Sequence, residues 1–256
     1  MLNNAYRIAA AVIAALLLTA AIASAQDSRV VSPSSLPGGL TYEEWSAKWW
    51  QWAESSPADE NPIALTPYPP GYDCGMGQDS NSPVFFLAGT FGKTTTRNCN
   101  IPPQKMIFFP IVNLLNDFPC PDPSFAPGPK QSLEQFLTIG YRPNIGARQF
   151  IDHATELSAT LDGAPIHVDL SLPPAASPFR ATSSIFEFKG DRSLTVFDPC
   201  ITGGGQHGVS DGYWIMLTPL SPGQHNLHFR GTESFLEFPP PNTFTVDVTY
   251  YLTVAK

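Results

Sequence analysis

One five-residue segment of the chain, 208–212, matches the pattern Gly-x-Ser-x-Gly of a serine nucleophile. In α/β-hydrolases a buried strand enters a tight turn there and a helix leaves it, which exposes the serine. Here the preceding residues, 202–207, include three consecutive glycines, and the following residues, 213–217, are typical of a strand. The order Ser, Asp, His also fails, since both downstream histidines precede Asp247, the only downstream aspartate. We therefore expect a glycine-rich loop that leads into a strand.

A second catalytic hypothesis involves polar residues around this loop. His207, Asp211 and His225 could meet at one loop edge as the site of a secreted hydrolase, and nitrogen and oxygen ligands of this kind also suit zinc. A metal site on a strand prefers His-x-His, because alternate side chains share a face. His225 and His228 are three residues apart. We therefore expect surface histidines and neither a metal nor another cofactor.

Glycoside hydrolysis is a third chemistry to consider, and it requires two carboxylates beside the bond that is cleaved. The candidate residues are Asp73, Asp79, Asp117, Asp152, Asp211, Glu233 and Glu237. The sequence does not indicate which of them converge. The loop pattern of EF-hand calcium sites and the P-loop pattern are both absent from it.

The tryptophan-rich segment 42–54 is predicted to form a helix. Thr41 and Glu44 form a capping box at its start, and the prolyl bond after Ser56 ends it. The aromatic residues at 3-4-3 spacing are Tyr42, Trp45, Trp49 and Trp52. Side chains at this spacing share a face, so we expect them to dock the helix on a sheet. Trp50 lies off this face and is the candidate for an exposed contact with a sugar ring or a partner surface.

Short strands dominate the rest of the chain. The predicted strands are 84–88, 94–99, 106–113, 158–161, 165–168, 185–188, 193–197, 213–217, 226–230 and 243–254, and the predicted short helices are 131–137 and 144–156. Strands 84–88 and 94–99 are expected to form a hairpin. Short strands between Pro and Gly turns are typical of sandwiches. The predicted fold is mostly β, an antiparallel β-sandwich or jelly-roll-like domain with an N-terminal Trp-rich helix and one or two short helices.

Four cysteines occur, at Cys74, Cys99, Cys120 and Cys200. They form no Cys-x-x-Cys pair, so an even count in an exported protein indicates two disulfides, with three possible connectivities. We favour Cys74–Cys99, because the two residues flank the predicted hairpin. We favour Cys120–Cys200, because both residues follow a proline in a loop.

The N-terminus is typical of a secretory signal peptide. A short polar start with Arg7 precedes an apolar stretch at 8–22, and small residues at 23 and 25 predict cleavage after Ala25. Residues 26–40 are expected to be a flexible leader. Residues 41–256 are expected to form a single disulfide-linked β-rich domain, in which a subdomain boundary would fall near 156. No later segment has 18 consecutive apolar residues, so we expect no membrane span after cleavage.

Composition excludes several classes of protein. Charged residues make up 14% of the chain and aromatic residues 12%, which argues against disorder and against a helical bundle. A formal net charge of −8 argues against nucleic-acid binding through phosphate contacts. The expected partner is a glycan or another envelope component, and the oligomeric state is not predicted.

Three stretches, taken together, are similar to a group of secreted bacterial proteins without an assigned activity. They are WSAKWWQW at 45–52, LAGTFG at 87–92 with Cys99 and FFPIVN at 108–113, and SDGYWIMLTPLSPGQH at 210–225. The resemblance implies export and supplies no catalytic residues. The sequence therefore predicts a secreted or periplasmic non-catalytic protein that binds glycan or another envelope component. The alternative is a secreted hydrolase with a loop-edge site near His207, Asp211 and His225.

Overall fold

The computed structural model describes residues 27–170, 177–235 and 242–256 of the 256-residue chain. The predicted signal peptide and the candidate carboxylate Glu237 lie outside the described residues. Among the residues described, no helix is both long enough and apolar enough to cross a membrane.

The described residues form helices α1–α3 and strands β1–β10. The helices are α1 (Tyr42–Ala53), α2 (Leu133–Ile139) and α3 (Ala147–Ile151). The strands are β1 (Val84–Phe86), β2 (Thr94–Ile101), β3 (Met106–Phe118), β4 (Ala154–Leu161), β5 (Ala164–Pro165), β6 (Arg180–Thr182), β7 (Phe186–Phe188), β8 (Gln206–Leu217), β9 (Gly223–Phe235) and β10 (Asn242–Val254). Short 3₁₀ helices occur at Pro33–Ser35, Pro37–Gly39 and Arg192–Val196.

The strands form two five-stranded sheets that pack as a sandwich. Sheet 1 has the order β1-β3-β8-β6, and β7 also pairs with β8. Sheet 2 has the order β2-β10-β9-β4-β5. Both sheets are mixed, because β1 runs parallel to β3 and β2 runs parallel to β10. The predicted mostly β sandwich with an N-terminal Trp-rich helix is therefore confirmed, with two parallel strand pairs added to the antiparallel ones.

The main core lies between the two sheets. Phe109 of β3 and Phe229 of β9 meet across it with ring centroids 4.9 Å apart. The sheets approach closely at Gly231, where an added Cβ would lie 2.8 Å from the carbonyl oxygen of Ile111. Strand β9 therefore needs a glycine at this position to keep the inter-sheet distance.

Helix α1 covers the other face of sheet 1. Its capping box is present as predicted, because Thr41 Oγ1 accepts the Glu44 N–H and Glu44 accepts the Thr41 N–H. Trp49 is fully buried, packs edge-on against Trp214 of β8 at 5.5 Å, and donates its indole N–H to the Leu87 carbonyl at 2.9 Å. The aromatic face of α1 thus docks the helix on sheet 1.

The segment predicted as a flexible leader makes defined contacts with sheet 1. Val30 forms a bridge with Leu217, and the Val31 N–H donates to the Met216 carbonyl at 2.8 Å. Tyr42 of α1 donates its hydroxyl to the Val31 carbonyl at 2.8 Å. Residues 30–31 therefore lie along the C-terminal end of β8.

Both favoured disulfides are present. Cys74 and Cys99 have Cα atoms 5.6 Å apart, and Cys120 and Cys200 have Cα atoms 4.3 Å apart. The hairpin expected between 84–88 and 94–99 is wrong, because β1 belongs to sheet 1 and β2 to sheet 2. The first disulfide therefore links sheet 2 to the loop that precedes β1.

Three predicted elements differ in the structure. In place of the strand predicted at 193–197 there is the 3₁₀ helix Arg192–Val196, because the Asp191 side chain accepts the Ser193 N–H at 2.9 Å and caps its start. The helix predicted at 144–156 ends at Ile151, because β4 then pairs with β9 from Ala154 onward. The glycine-rich segment 208–212 lies inside β8, because every one of its residues pairs with β3.

Candidate functional site

The structure does not bring the three residues of the hydrolase hypothesis together. His207 and Asp211 lie four residues apart on β8, which at about 3.3 Å per residue separates them by about 13 Å. His225 lies on β9, in the other sheet. It contacts Asp162, with 2.8 Å between Nδ1 and Oδ2. His207, Asp211 and His225 therefore do not form one common site.

Asp211 belongs to a buried ion pair. Its carboxylate is fully buried and accepts from Arg180 Nη2 at 2.6 Å, while Arg180 Nη1 donates to Asp152 Oδ1 at 2.6 Å. Burial raises the pKa of Asp211, and Arg180 acts in the opposite direction. Arg180 also donates to the Arg148 carbonyl of α3 at 2.9 Å. The pair thus ties sheet 1 to the end of α3.

Glu233 of β9 lies beside this ion pair. It is fully buried, and neither carboxylate oxygen has a hydrogen-bond partner among the residues that the structure describes. Burial and the nearby charge of Asp211 raise the pKa of Glu233 to about 9. The charges of Glu233 and Asp211 interact, but both carboxyl groups are buried in the core, away from any substrate in solvent.

The predicted exposure of Trp50 is wrong. The residue is only 6% exposed and packs edge-on against Trp49 with ring centroids 4.9 Å apart. The next residue, Gln51, donates to the Glu187 carbonyl of β7 at 2.8 Å, so β7 also contacts α1. Helix α1 is thus covered on two sides, which its local sequence pattern does not indicate.

A groove of about 500 Å³ runs between α1 and the loop that precedes β1. We call it the α1 groove, and its principal residues are Trp45, Lys48 and Trp52 of α1, Asp79 and Asn81 of the loop, and Phe86 of β1. Sequence reasoning named Asp79 among the candidate carboxylates but did not connect it with the helix. The groove joins segments about 30 residues apart in the chain.

The floor of the α1 groove is aromatic. Phe86 lies 5.6 Å from Trp52 and 6.1 Å from Trp45, measured between ring centroids. Both indole N–H groups are already bonded, that of Trp45 to the Pro37 carbonyl at 2.7 Å and that of Trp52 to the Met76 carbonyl at 3.0 Å. The two indole rings therefore line the groove with carbon atoms and contribute no free hydrogen-bond donor.

The loop side of the groove is held in place by its own hydrogen bonds. The Gln78 amide donates to the Phe86 carbonyl at 2.9 Å and accepts the Phe86 N–H at 2.7 Å. Asp79 Oδ1 accepts the Asn81 N–H at 2.8 Å, and Lys105 donates to the Ser80 carbonyl at 2.7 Å. Hydrogen bonds within the protein thus hold the loop in place, which lowers the entropic cost of binding a ligand there.

The rim of the groove carries groups that are available for hydrogen bonds. Lys48, Asp79 and Asn81 are exposed. The Lys48 ammonium, the Asn81 side-chain amide and the second carboxylate oxygen of Asp79 form no hydrogen bond with the described residues. An aromatic floor with a few polar groups at the rim is typical of small-molecule sites.

A larger concave surface, of about 900 Å³, lies beside α3 and includes Asp152 and His153. Its polar groups are mostly engaged with the protein itself. Asp152 bonds Arg180, His153 Nδ1 lies 2.6 Å from the Gln149 carbonyl, and the Asn144 amide donates to the Ser124 carbonyl at 2.8 Å. The α1 groove therefore offers more free polar groups to a ligand.

The fold and the groove together define a two-sheet, disulfide-linked β protein with a groove at its surface. Comparison of the chain with protein-family models, curated proteins and solved structures finds no significant match. The resemblance to secreted bacterial proteins therefore stays a prediction.

Proposed function

We propose that this is a secreted or periplasmic, non-catalytic protein that binds a glycan of the cell envelope in the α1 groove. The observation that carries the proposal is the pairing of an aromatic floor with exposed carboxylate, amide and ammonium groups at the rim. Sugar rings present both apolar C–H faces and hydroxyl groups. The aromatic carbons would contact the former, and the rim groups would bond the latter.

The location is part of the same proposal. Two disulfides are consistent with folding in an oxidising compartment, and the predicted signal peptide would deliver the chain there. In that compartment the protein would have access to the glycans of the cell envelope.

Binding without cleavage is supported by the charges in the groove. Among the described residues that line the groove, Asp79 alone has a carboxylate. Glycoside hydrolysis ordinarily needs two carboxylates. The residues of the alternative hydrolase hypothesis lie on two different sheets.

A glycan array followed by titration of the best binder tests the proposal. Intrinsic fluorescence reports binding directly, because Trp45 and Trp52 form the floor of the groove. Asp79→Ala should weaken binding at least about tenfold, since a hydrogen bond to a charged group contributes about 1.5–3 kcal/mol. Arg142→Ala, on the larger concave surface, is the matched control and should bind normally. Equal losses in both variants, or no binding by the folded protein to any envelope polymer, would refute the assignment.

A further inference from the structure

The face of sheet 2 that points away from sheet 1 carries a row of uncharged side chains from three neighbouring strands. Tyr251 of β10 pairs in register with Asn98 of β2 on one side and with Asn226 of β9 on the other. Neighbouring strands lie about 5 Å apart, so the three side chains adjoin one another. We call Asn98, Tyr251 and Asn226 the Tyr251 row.

The Tyr251 row faces solvent. Burial alternates along β2 and β10, and the exposed positions include Asn98 and Tyr251. Tyr251 is 52% exposed, and Asn226 is partly exposed. The Tyr251 hydroxyl and both asparagine side chains form no hydrogen bond with the described residues, and the Tyr251 ring packs on no other described ring. The row therefore presents an aromatic ring between two amides that are free to bond a ligand.

A concave surface of about 460 Å³ adjoins the Tyr251 row at β2, because Asn98 belongs to both. The loop residues Tyr72 and Asp73 line it as well. Asp73 Oδ1 accepts the Gly75 N–H at 2.9 Å, and the second carboxylate oxygen forms no hydrogen bond with the described residues. A ligand longer than one ring would thus find further polar groups beside the row.

The charges around the Tyr251 row favour an uncharged ligand. The cationic side chains of β9 on this face are already paired, since Arg230 Nη1 donates to Asp247 Oδ2 at 3.1 Å and His228 Nε2 lies 2.9 Å from Asp247 Oδ1. Among the described residues that line the concave surface, Asp73 alone is charged. An acidic ligand would be repelled by Asp73 and would meet no cation in the row or on the concave surface.

We propose that the Tyr251 row is a second binding site, separate from the α1 groove, for an uncharged polysaccharide. The apolar C–H face of a sugar ring would stack on Tyr251. Its hydroxyl groups would bond the amides of Asn98 and Asn226, because an amide both donates and accepts hydrogen bonds. The polymer would continue over the concave surface to Asp73. Since α1 covers sheet 1, the two sites would bind separate segments of polymer.

Native electrophoresis of the disulfide-bonded protein through gels that contain dextran, mannan, hydroxyethyl cellulose or alginate tests the site. The starting variant is Asp79→Ala, in which the α1 groove is impaired. At least one of the three uncharged polymers should retard it, whereas the anionic alginate should not. Adding Tyr251→Ala should weaken the binding at least about tenfold, because the stacking surface is lost. Tyr251→Phe in its place should keep most of the binding, because the ring remains.

The matched control adds Tyr141→Ala to Asp79→Ala, because Tyr141 is 49% exposed and lies on the larger concave surface beside α3. This control should be retarded as strongly as Asp79→Ala alone. Retardation by none of the uncharged polymers, or equal losses with Tyr141→Ala and Tyr251→Ala, would overturn the proposal. Equal retardation by alginate would overturn the choice of an uncharged ligand. Comparison of Asp79→Ala with the parent protein reports on the α1 groove, so failure of one site is distinguishable from failure of the other.

Discussion

The buried carboxyl group of Glu233 should make the stability of this protein fall as the pH rises. The ordinary pKa of a glutamate is 4.5, and in the folded protein burial and Asp211 raise it to about 9. Between these values the folded state holds a proton that the unfolded chain has released. The free energy of unfolding therefore decreases by about 1.4 kcal/mol per pH unit across this window from this residue alone.

The substitution Glu233→Gln isolates this effect. Glutamine has nearly the same shape as a protonated glutamate and is neutral at every pH, so the variant needs no proton when it folds. In the parent protein, the free-energy cost of protonating Glu233 on folding grows by about 3 kcal/mol between pH 4.5 and pH 7. The variant should thus be about 3 kcal/mol more stable than the parent at pH 7 and nearly equal to it at pH 4.5. Other titrating groups contribute to both proteins and cancel in the difference.

Urea unfolding at half-unit steps from pH 4.5 to pH 8.5 measures this difference. The control is Glu43→Gln on α1, whose side chain is exposed and forms no ion pair with the described residues. That variant should show a difference that does not change with pH. A Glu233→Gln difference that is equally flat would refute the reasoning, because it would mean that Glu233 is ionised in the folded protein.

Two further perturbations test the cross-links of the fold. Replacing Cys120 and Cys200 together by serine should lower the free energy of unfolding by about 4 kcal/mol, because the bridge joins positions 80 residues apart; a loss below about 1 kcal/mol in urea unfolding would contradict the entropic argument. Asp211→Asn should cost about 3 kcal/mol, since it leaves Arg180 buried with its main charge partner removed. Thermal unfolding checks this value, and an unchanged Tm would show that Asp152 alone suffices for Arg180.

Local features of the structure could be predicted from the sequence because neighbouring residues create them. The capping box of Thr41 and Glu44 and the spacing of Trp45 and Trp49 are contained within one helix. The alternation along β10 likewise follows from its own residues, whose buried positions are every second one over most of the strand. Hydrogen bonds and periodicity of this kind depend on residues that are only a few positions apart. They can therefore be predicted from the sequence alone.

Features that depend on distant partners differ from the predictions. Residues 208–212 look like a glycine-rich loop, yet pairing with β3 makes them part of a long central strand. Trp50 lies off the docking face of α1 on a helical wheel, yet it is only 6% exposed in the folded protein. Strands β1 and β2 are neighbours in sequence, yet each finds a parallel partner in a different sheet.

Composition and residue spacing predict the class of fold and the docking face of α1, and they favour the disulfide pairing that the structure contains. Which polar groups meet depends on the tertiary structure, because the α1 groove and the Asp117–Asp198 pair are built from segments far apart in the chain. Composition and spacing fix what each segment buries, whereas long-range sheet pairing decides which segments become neighbours. Sites made between segments therefore appear only when the chain has folded.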